Sequence, residues 1–295
     1  VIPDGILTVI VTPYDDEDRI NAAVLRRHVN WLIDGGVHAI IPGGTTGEYY
    51  AQTVAERIEV LETVAEESSG RVPLLAGTNS ARPADTITLS LRARELGYQG
   101  LMLAAPFYSL PSRDDLADHF RHIASEVGLP ILLYNFPART GVDMDPEFLE
   151  KVADIEEVVA IKESSGSIVR LHELVAGFAG TIAPVCGTDD QALEYFLWGS
   201  RAMVAGAANF LPRLHVRLWE ACVVERDFDR GQEMMRLLMP MFSMLEQGGK
   251  YIQYVKYGTR LAGFDPGPVR PPIRGLDAAE RTRFERLLSE IHEEV

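Results

Sequence analysis

Only four lysines stand among the 295 residues, and one of them is placed to act as a nucleophile. Lys151 falls in a helical stretch, Lys250 in a linker and Lys256 on a late helix. Lys162 alone ends a strand-like run, Val158-Val159-Ala160-Ile161. A lysine at the end of a buried strand loses hydration, which disfavours its ammonium form and lowers its pKa. An amine kept neutral in that way attacks a ketone and forms an imine. The position equally suits a structural lysine paired with a carboxylate such as Glu163, and position alone leaves both readings open.

Imine formation needs protons moved on and off a carbinolamine oxygen, which a phenol can relay. Tyr134 ends the preceding strand-like run, so neighbouring strands place it beside Lys162; a core tyrosine bonded to a backbone carbonyl is the competing reading. Upstream, Gly43-Gly44-Thr45-Thr46-Gly47-Glu48 combines exposed backbone N–H groups with two hydroxyls, a turn able to cradle a carboxylate. No lysine follows its last glycine, so it is not a nucleotide-binding loop. Arg139, in Phe136-Pro137-Ala138-Arg139-Thr140-Gly141, could clamp a substrate carboxylate or form a surface salt bridge. Tyr108 is either catalytic or packed in a subunit interface. His119 and His122 share a helix face and make half a metal site at best. Asp189 and Asp190 suit a helix cap.

The elements that must position these residues alternate between apolar strand-like runs and amphipathic helical stretches. Strands are expected over residues 6–11, 39–41, 72–76, 100–104, 130–134, 158–161, 181–186 and 202–205, each followed by a helix, the last over 213–224. Such alternation, with β-branched strands buried on both faces, argues for a parallel sheet closed into a (β/α)8 barrel; a doubly wound open sheet is the competing fold. In the barrel, reactive side chains belong at the C-terminal ends of the strands. Beyond residue 225 the alternation stops, and helices are expected over 228–246, 251–261 and 278–293. Residues 1–225 thus read as the catalytic barrel and 226–295 as a helical extension packed on it.

A formal net charge of −15 disfavours nucleic acid and anionic membranes as partners. The two cysteines, Cys186 and Cys222, form neither a metal-spaced cluster nor a disulfide framework, which points to the reducing cytoplasm. The apolar start lacks a basic leader and reads as a buried strand, and no apolar run is long enough to span a membrane.

Taken together, the turn at residues 43–48, the segment Tyr134-Asn135-Phe136-Pro137-Ala138-Arg139-Thr140-Gly141 and the segment Val159-Ala160-Ile161-Lys162-Glu163-Ser164-Ser165-Gly166 resemble the dihydrodipicolinate synthase / N-acetylneuraminate lyase family. The resemblance implies a (β/α)8 TIM barrel with a C-terminal helical extension. It implies a lysine imine with pyruvate or another 2-oxo acid, no metal or organic cofactor, and a homotetramer built as a dimer of dimers. By position, Lys162 would be the imine lysine and Tyr134 its acid/base. Thr45 would link Tyr134 to Tyr108, with Tyr108 reaching into a neighbouring subunit. Gly44, Thr45 and Thr46 would hold the pyruvate carboxylate, Gly187 and Val204 would line the pocket, and Arg139 would bind a carboxylate on the acceptor aldehyde, as in the synthase branch. The run from Gly249 to Lys256 departs from that branch. Retro-aldol cleavage or dehydration of a 2-oxo-3-deoxy or 4-hydroxy-2-oxo acid is therefore the alternative activity, and a non-catalytic carboxylate-binding paralogue the alternative class.

Overall fold

The computed structural model describes residues 2–293. Eight parallel strands alternate with helices: β1 Gly5–Val9, α1 Ala22–Asp34, β2 Ala39–Ile41, α2 Val54–Ser68, β3 Leu75–Gly77, α3 Pro83–Glu95, β4 Gly100–Ala104 and α4 Arg113–Val127. The second half continues with β5 Ile131–Asn135, a short α5 Pro137–Thr140, α6 Pro146–Val152, β6 Val158–Glu163, α7 Ile168–Gly177, β7 Ala183–Cys186, α8 Ala192–Leu197, β8 Ala202–Ala205 and α9 Pro212–Trp219. Three further helices follow, α10 Phe228–Gln247, α11 Tyr251–Leu261 and α12 Ala278–Glu293.

The strand order is β2-β1-β8-β7-β6-β5-β4-β3, and a parallel bridge between Ile40 and Leu74 brings the two ends together. This is a (β/α)8 TIM barrel with C-terminal helices, not an open doubly wound sheet. The strands alternate with period two between inside and outside. Leu7, Val9, Met102, Leu132, Ala160 and Val204 pack within the barrel, while their neighbours pack outward against the helices. Lys162 lies two residues beyond Ala160 and Tyr134 two beyond Leu132, so both project inward at the C-terminal mouth.

Strands β1, β3, β6 and β7 differ from the sequence pattern by two or three residues at an end, and for β1 and β3 the reason is visible. β1 stops at Val9 because the Val11 N–H leaves the ladder and donates to Asn209 Oδ1 at 3.0 Å. β3 starts only at Leu75, since Pro73 has no N–H and the Leu74 N–H donates to the Gln99 side chain at 2.7 Å. After β8 the helix ends at Trp219 and runs into a π-helical turn over Glu220–Val224, so the α-helix expected through residue 224 is shorter.

Candidate active site

A cavity opens at the C-terminal mouth of the barrel. Lys162 is buried in its lining. Register aligns Tyr134 on β5 with Lys162 on β6, and the Lys162 Nζ sits 3.8 Å from the centre of the Tyr134 ring. Burial lowers the amine to a pKa of about 8, against the opposing charges of Glu246 and Asp189. Glu163 is not its partner. That carboxylate accepts from Asn135 Nδ2 at 2.9 Å and from the Ser165 N–H at 2.6 Å. The structural ion pair considered for Lys162 is thus absent, and its amine faces the cavity.

Burial pushes the Tyr134 phenol up to about 12, while the Thr45 and Ser164 hydroxyls oppose the shift as hydrogen-bonding neighbours. A phenol held protonated can donate, and the adjacent hydroxyls give its proton a route. Thr45 and Thr46 begin a single helical turn, Thr45–Gly47, and both line the cavity. The first N–H groups of such a turn have no partner within it, which leaves donors for an anion. Gly44 lies beneath the turn: a Cβ there would come within 2.5 Å of Val9 Cγ1. Its part is to let the turn approach β1 closely rather than to line the cavity.

Arg139 sits on α5 with its guanidinium 5.3 Å from the centre of the Phe136 ring, solvent-exposed and lining the cavity rim. Gly187 and Val204 also line the cavity. A Cβ on Gly187 would strike Ser164 Oγ at 2.2 Å and the Glu163 carbonyl at 2.5 Å, so the ends of β6 and β7 can meet only with glycine there. Tyr108 stands apart. It is 94% exposed with a left-handed φ of 72°, and it lines neither this cavity nor the adjoining cleft that shares Thr45, Tyr134 and Arg139 with it. Within one chain, no Thr45–Tyr108 link exists among the described residues.

The far wall was not expected from the sequence. Leu245 and Glu246 from the end of α10, Gly249 from the linker after it and Tyr251 from the start of α11 close that side of the cavity. Asp189 does not cap a helix. It is buried behind this wall, where it accepts from the Tyr251 hydroxyl at 2.7 Å and lies 3.2 Å from His215 Nε2. Its N–H donates to Glu246 Oε1 at 2.8 Å. Burial, reinforced by the charge of Asp189, raises the Glu246 carboxyl well above the usual carboxylate range. Among the described residues no cluster of three or more His, Cys, Asp and Glu is placed to hold a metal.

A parallel barrel that presents a desolvated lysine beside a protonated phenol at its C-terminal mouth belongs to the lysine-dependent lyases. The comparisons define the family. The sequence matches the Dihydrodipicolinate synthetase family over residues 2–291, and the chain belongs to that family. It is 32% identical over 280 residues to 4-hydroxy-tetrahydrodipicolinate synthase 1 of Halalkalibacterium halodurans, covering 95% of this chain and 94% of that protein. It is 34% identical to the 4-hydroxy-tetrahydrodipicolinate synthase of Pelobacter propionicus, covering 94% of each. The 4-hydroxy-tetrahydrodipicolinate synthase of Methylacidiphilum fumariolicum SolV superposes with a TM-score of 0.94 at 30% identity, over 99% of this chain and 97% of that one. A prophage protein of the same family from E. coli K12, solved in complex with pyruvate, superposes with a TM-score of 0.93 at 26% identity over 99% of both chains.

Proposed function

We propose that the protein is a Schiff-base lyase that condenses pyruvate with a carboxylate-bearing aldehyde, in the manner of 4-hydroxy-tetrahydrodipicolinate synthase. The observation that carries this reading is the buried Lys162 amine, with a pKa of about 8, held against Tyr134 in a cavity that also contains Thr45 and Thr46. Pyruvate binds with its carboxylate on the Thr45–Thr46 turn. The Lys162 amine adds to the ketone, Tyr134 protonates the carbinolamine oxygen, and water leaves as the imine forms. Loss of a C3 proton gives the enamine, whose C3 attacks the aldehyde; Arg139 holds the acceptor's carboxylate at the rim. Hydrolysis then frees Lys162. The relatives named above support the choice of pyruvate and of the synthase direction. The barrel of residues 1–225 carries the nucleophile, and the extension of residues 226–295 completes the cavity wall.

Retro-aldol cleavage or dehydration by the same imine is the second reading. It is favoured by the run from Gly249 to Lys256, which departs from the synthase pattern. We place the enzyme in the cytoplasm, on the ground that Cys186 and Cys222 are both free and buried, and no helix is long and apolar enough to cross a membrane among the described residues.

Borohydride reduction in the presence of pyruvate tests the imine. One pyruvate-derived adduct per chain is expected, on the peptide carrying Lys162, and none in Lys162→Ala. An adduct that persists in that variant, or a wild type that takes none, would refute the assignment.

A further inference from the structure

The polar groups of the cavity are unevenly spent. In the reaction proposed above, Thr45 and Thr46 take one carboxylate at one side and Arg139 takes another at the rim. The wall from the C-terminal extension is otherwise closed: Leu245 and Gly249 offer no side-chain polar atom, and the Tyr251 hydroxyl is committed to Asp189 at 2.7 Å. Glu246 is the exception. It is enclosed by protein yet keeps part of its surface open to the cavity. The Asp189 N–H fixes Oε1 at 2.8 Å, and Oε2 has no hydrogen-bond partner among the described residues. Asp189 is in turn held by Tyr251 and His215, so the carboxyl has a set orientation. A carboxyl oxygen without a protein partner at a cavity wall is a ready hydrogen-bonding group for a ligand.

We propose that Glu246 is a further catalytic and specificity-determining residue: its Oε2 binds the aldol oxygen at C4 of a 4-hydroxy-2-oxo acid and transfers the proton on that oxygen. The proposal rests on the lysine-imine reading. In condensation, the enamine C3 forms a bond to the aldehyde carbon, the carbonyl π pair moves to oxygen, and Glu246 supplies the proton; the carboxylate left behind recovers one from water. In cleavage the C3–C4 bond breaks, Glu246 as carboxylate takes the hydroxyl proton, and the electron pair passes into the iminium as enamine. Either direction involves the same atom. Tyr134 is left to the carbinolamine, and the two proton transfers have separate owners.

This separation makes the test selective. Measured at pH 9, above the Lys162 pKa on which the Glu246 charge acts, Glu246→Gln is expected to trap pyruvate with borohydride and to exchange the pyruvate methyl protons in D₂O within about threefold of wild type, because both steps precede the aldol oxygen. Cleavage of 4-hydroxy-2-oxoglutarate, and condensation of pyruvate with aspartate 4-semialdehyde, should fall by roughly 10²–10⁴-fold, the usual worth of a positioned acid/base. A second measurement uses the wild type alone. In competition with pyruvate trapping, 4-hydroxy-2-oxoglutarate should bind about 10–100-fold more tightly than 2-oxoglutarate, which lacks the hydroxyl; the factor is that of one hydrogen bond to a buried group. Glu246→Leu should abolish the preference. Equal competition by the two acids in the wild type would overturn the proposal even if the variants fail to fold. So would Glu246→Gln turnover near the wild-type rate, or a loss of trapping equal to the loss of turnover. A wild type that traps no pyruvate would instead remove the imine reading on which the proposal stands.

Discussion

Lys162 has a pKa of about 8, so about one chain in ten carries the free amine at pH 7. The free amine is the nucleophile, and its fraction grows tenfold per pH unit until the pKa is passed. The rate of pyruvate trapping at fixed, subsaturating pyruvate should therefore rise with unit slope on a logarithmic scale up to about pH 8 and level off above it. Pre-steady-state borohydride trapping between pH 6 and 10 measures this, and a profile still rising at pH 10 would mean that the amine is not desolvated in solution. Burial is the largest cause of the lowering, and Glu246 and Asp189 work against it. The placement of the residues proposed for this chemistry was legible in the sequence for a simple reason. Lys162 and Tyr134 each end a short apolar run, and period-two alternation turns both inward once the strands pair. Glu246 and Tyr251 were not legible, since they lie 57 and 62 residues from the Asp189 they touch. Periodicity reports which face of a helix is apolar, not which loop that face will cover.

The turn that carries Thr45 and Thr46 depends on an element far along the chain. Glu48 ends it with a left-handed φ of 59°, a conformation that costs a non-glycine residue about 1–3 kcal/mol. What holds it is the C-terminal extension. The buried Glu48 carboxylate accepts from Lys256 Nζ at 2.7 Å, on α11, and from the Arg270 N–H at 2.8 Å. Lys256 also donates to the Pro268 carbonyl at 2.7 Å, and its ammonium and the Arg270 guanidinium lie over the Tyr14 ring, 4.5 Å and 4.1 Å from its centre. Burial lowers the Lys256 pKa, and the charge of Glu48 opposes this. Removing one partner of so buried a pair strands the other charge. Lys256→Met should lose about 3–5 kcal/mol by urea unfolding, and Lys256→Met/Glu48→Leu should recover most of that. A single variant within 1 kcal/mol of wild type would show that the clamp contributes little. The late helix bearing Lys256 was evident from its spacing, but its ion pair with Glu48 spans 208 residues and could not be read from the sequence.

At the scale of the whole molecule, Tyr108 is the proposed site residue that the fold of one chain leaves outside the cavity. A large side chain that is 94% exposed, on a backbone twisted to φ 72°, with Leu110 also 59% exposed two residues on, forms an apolar projection that a single chain leaves uncovered. Single exposed apolar residues need no explanation, but a strained pair beside an active-site cleft suits an intersubunit contact. With a net charge of −15, copies repel at long range, so association has to come from such specific surfaces. We propose that the active species is at least a dimer, with a tetramer built from two dimers as its full form, and that Tyr108 completes the Thr45–Tyr134 relay of its neighbour. Two inactive variants separate this from action within one chain. Lys162→Ala spoils the site of its own subunit, whereas Tyr108→Phe spoils only the partner's. In mixed dimers one site then holds Lys162 together with an intact Tyr108 from the other chain, and the second site lacks both. Co-expression should restore activity to a substantial fraction of wild type although each variant alone is nearly inactive. Native mass spectrometry establishes that mixed dimers are present. If they are, and activity stays at the level of the single variants, then Tyr108 serves its own chain or takes no part in the relay.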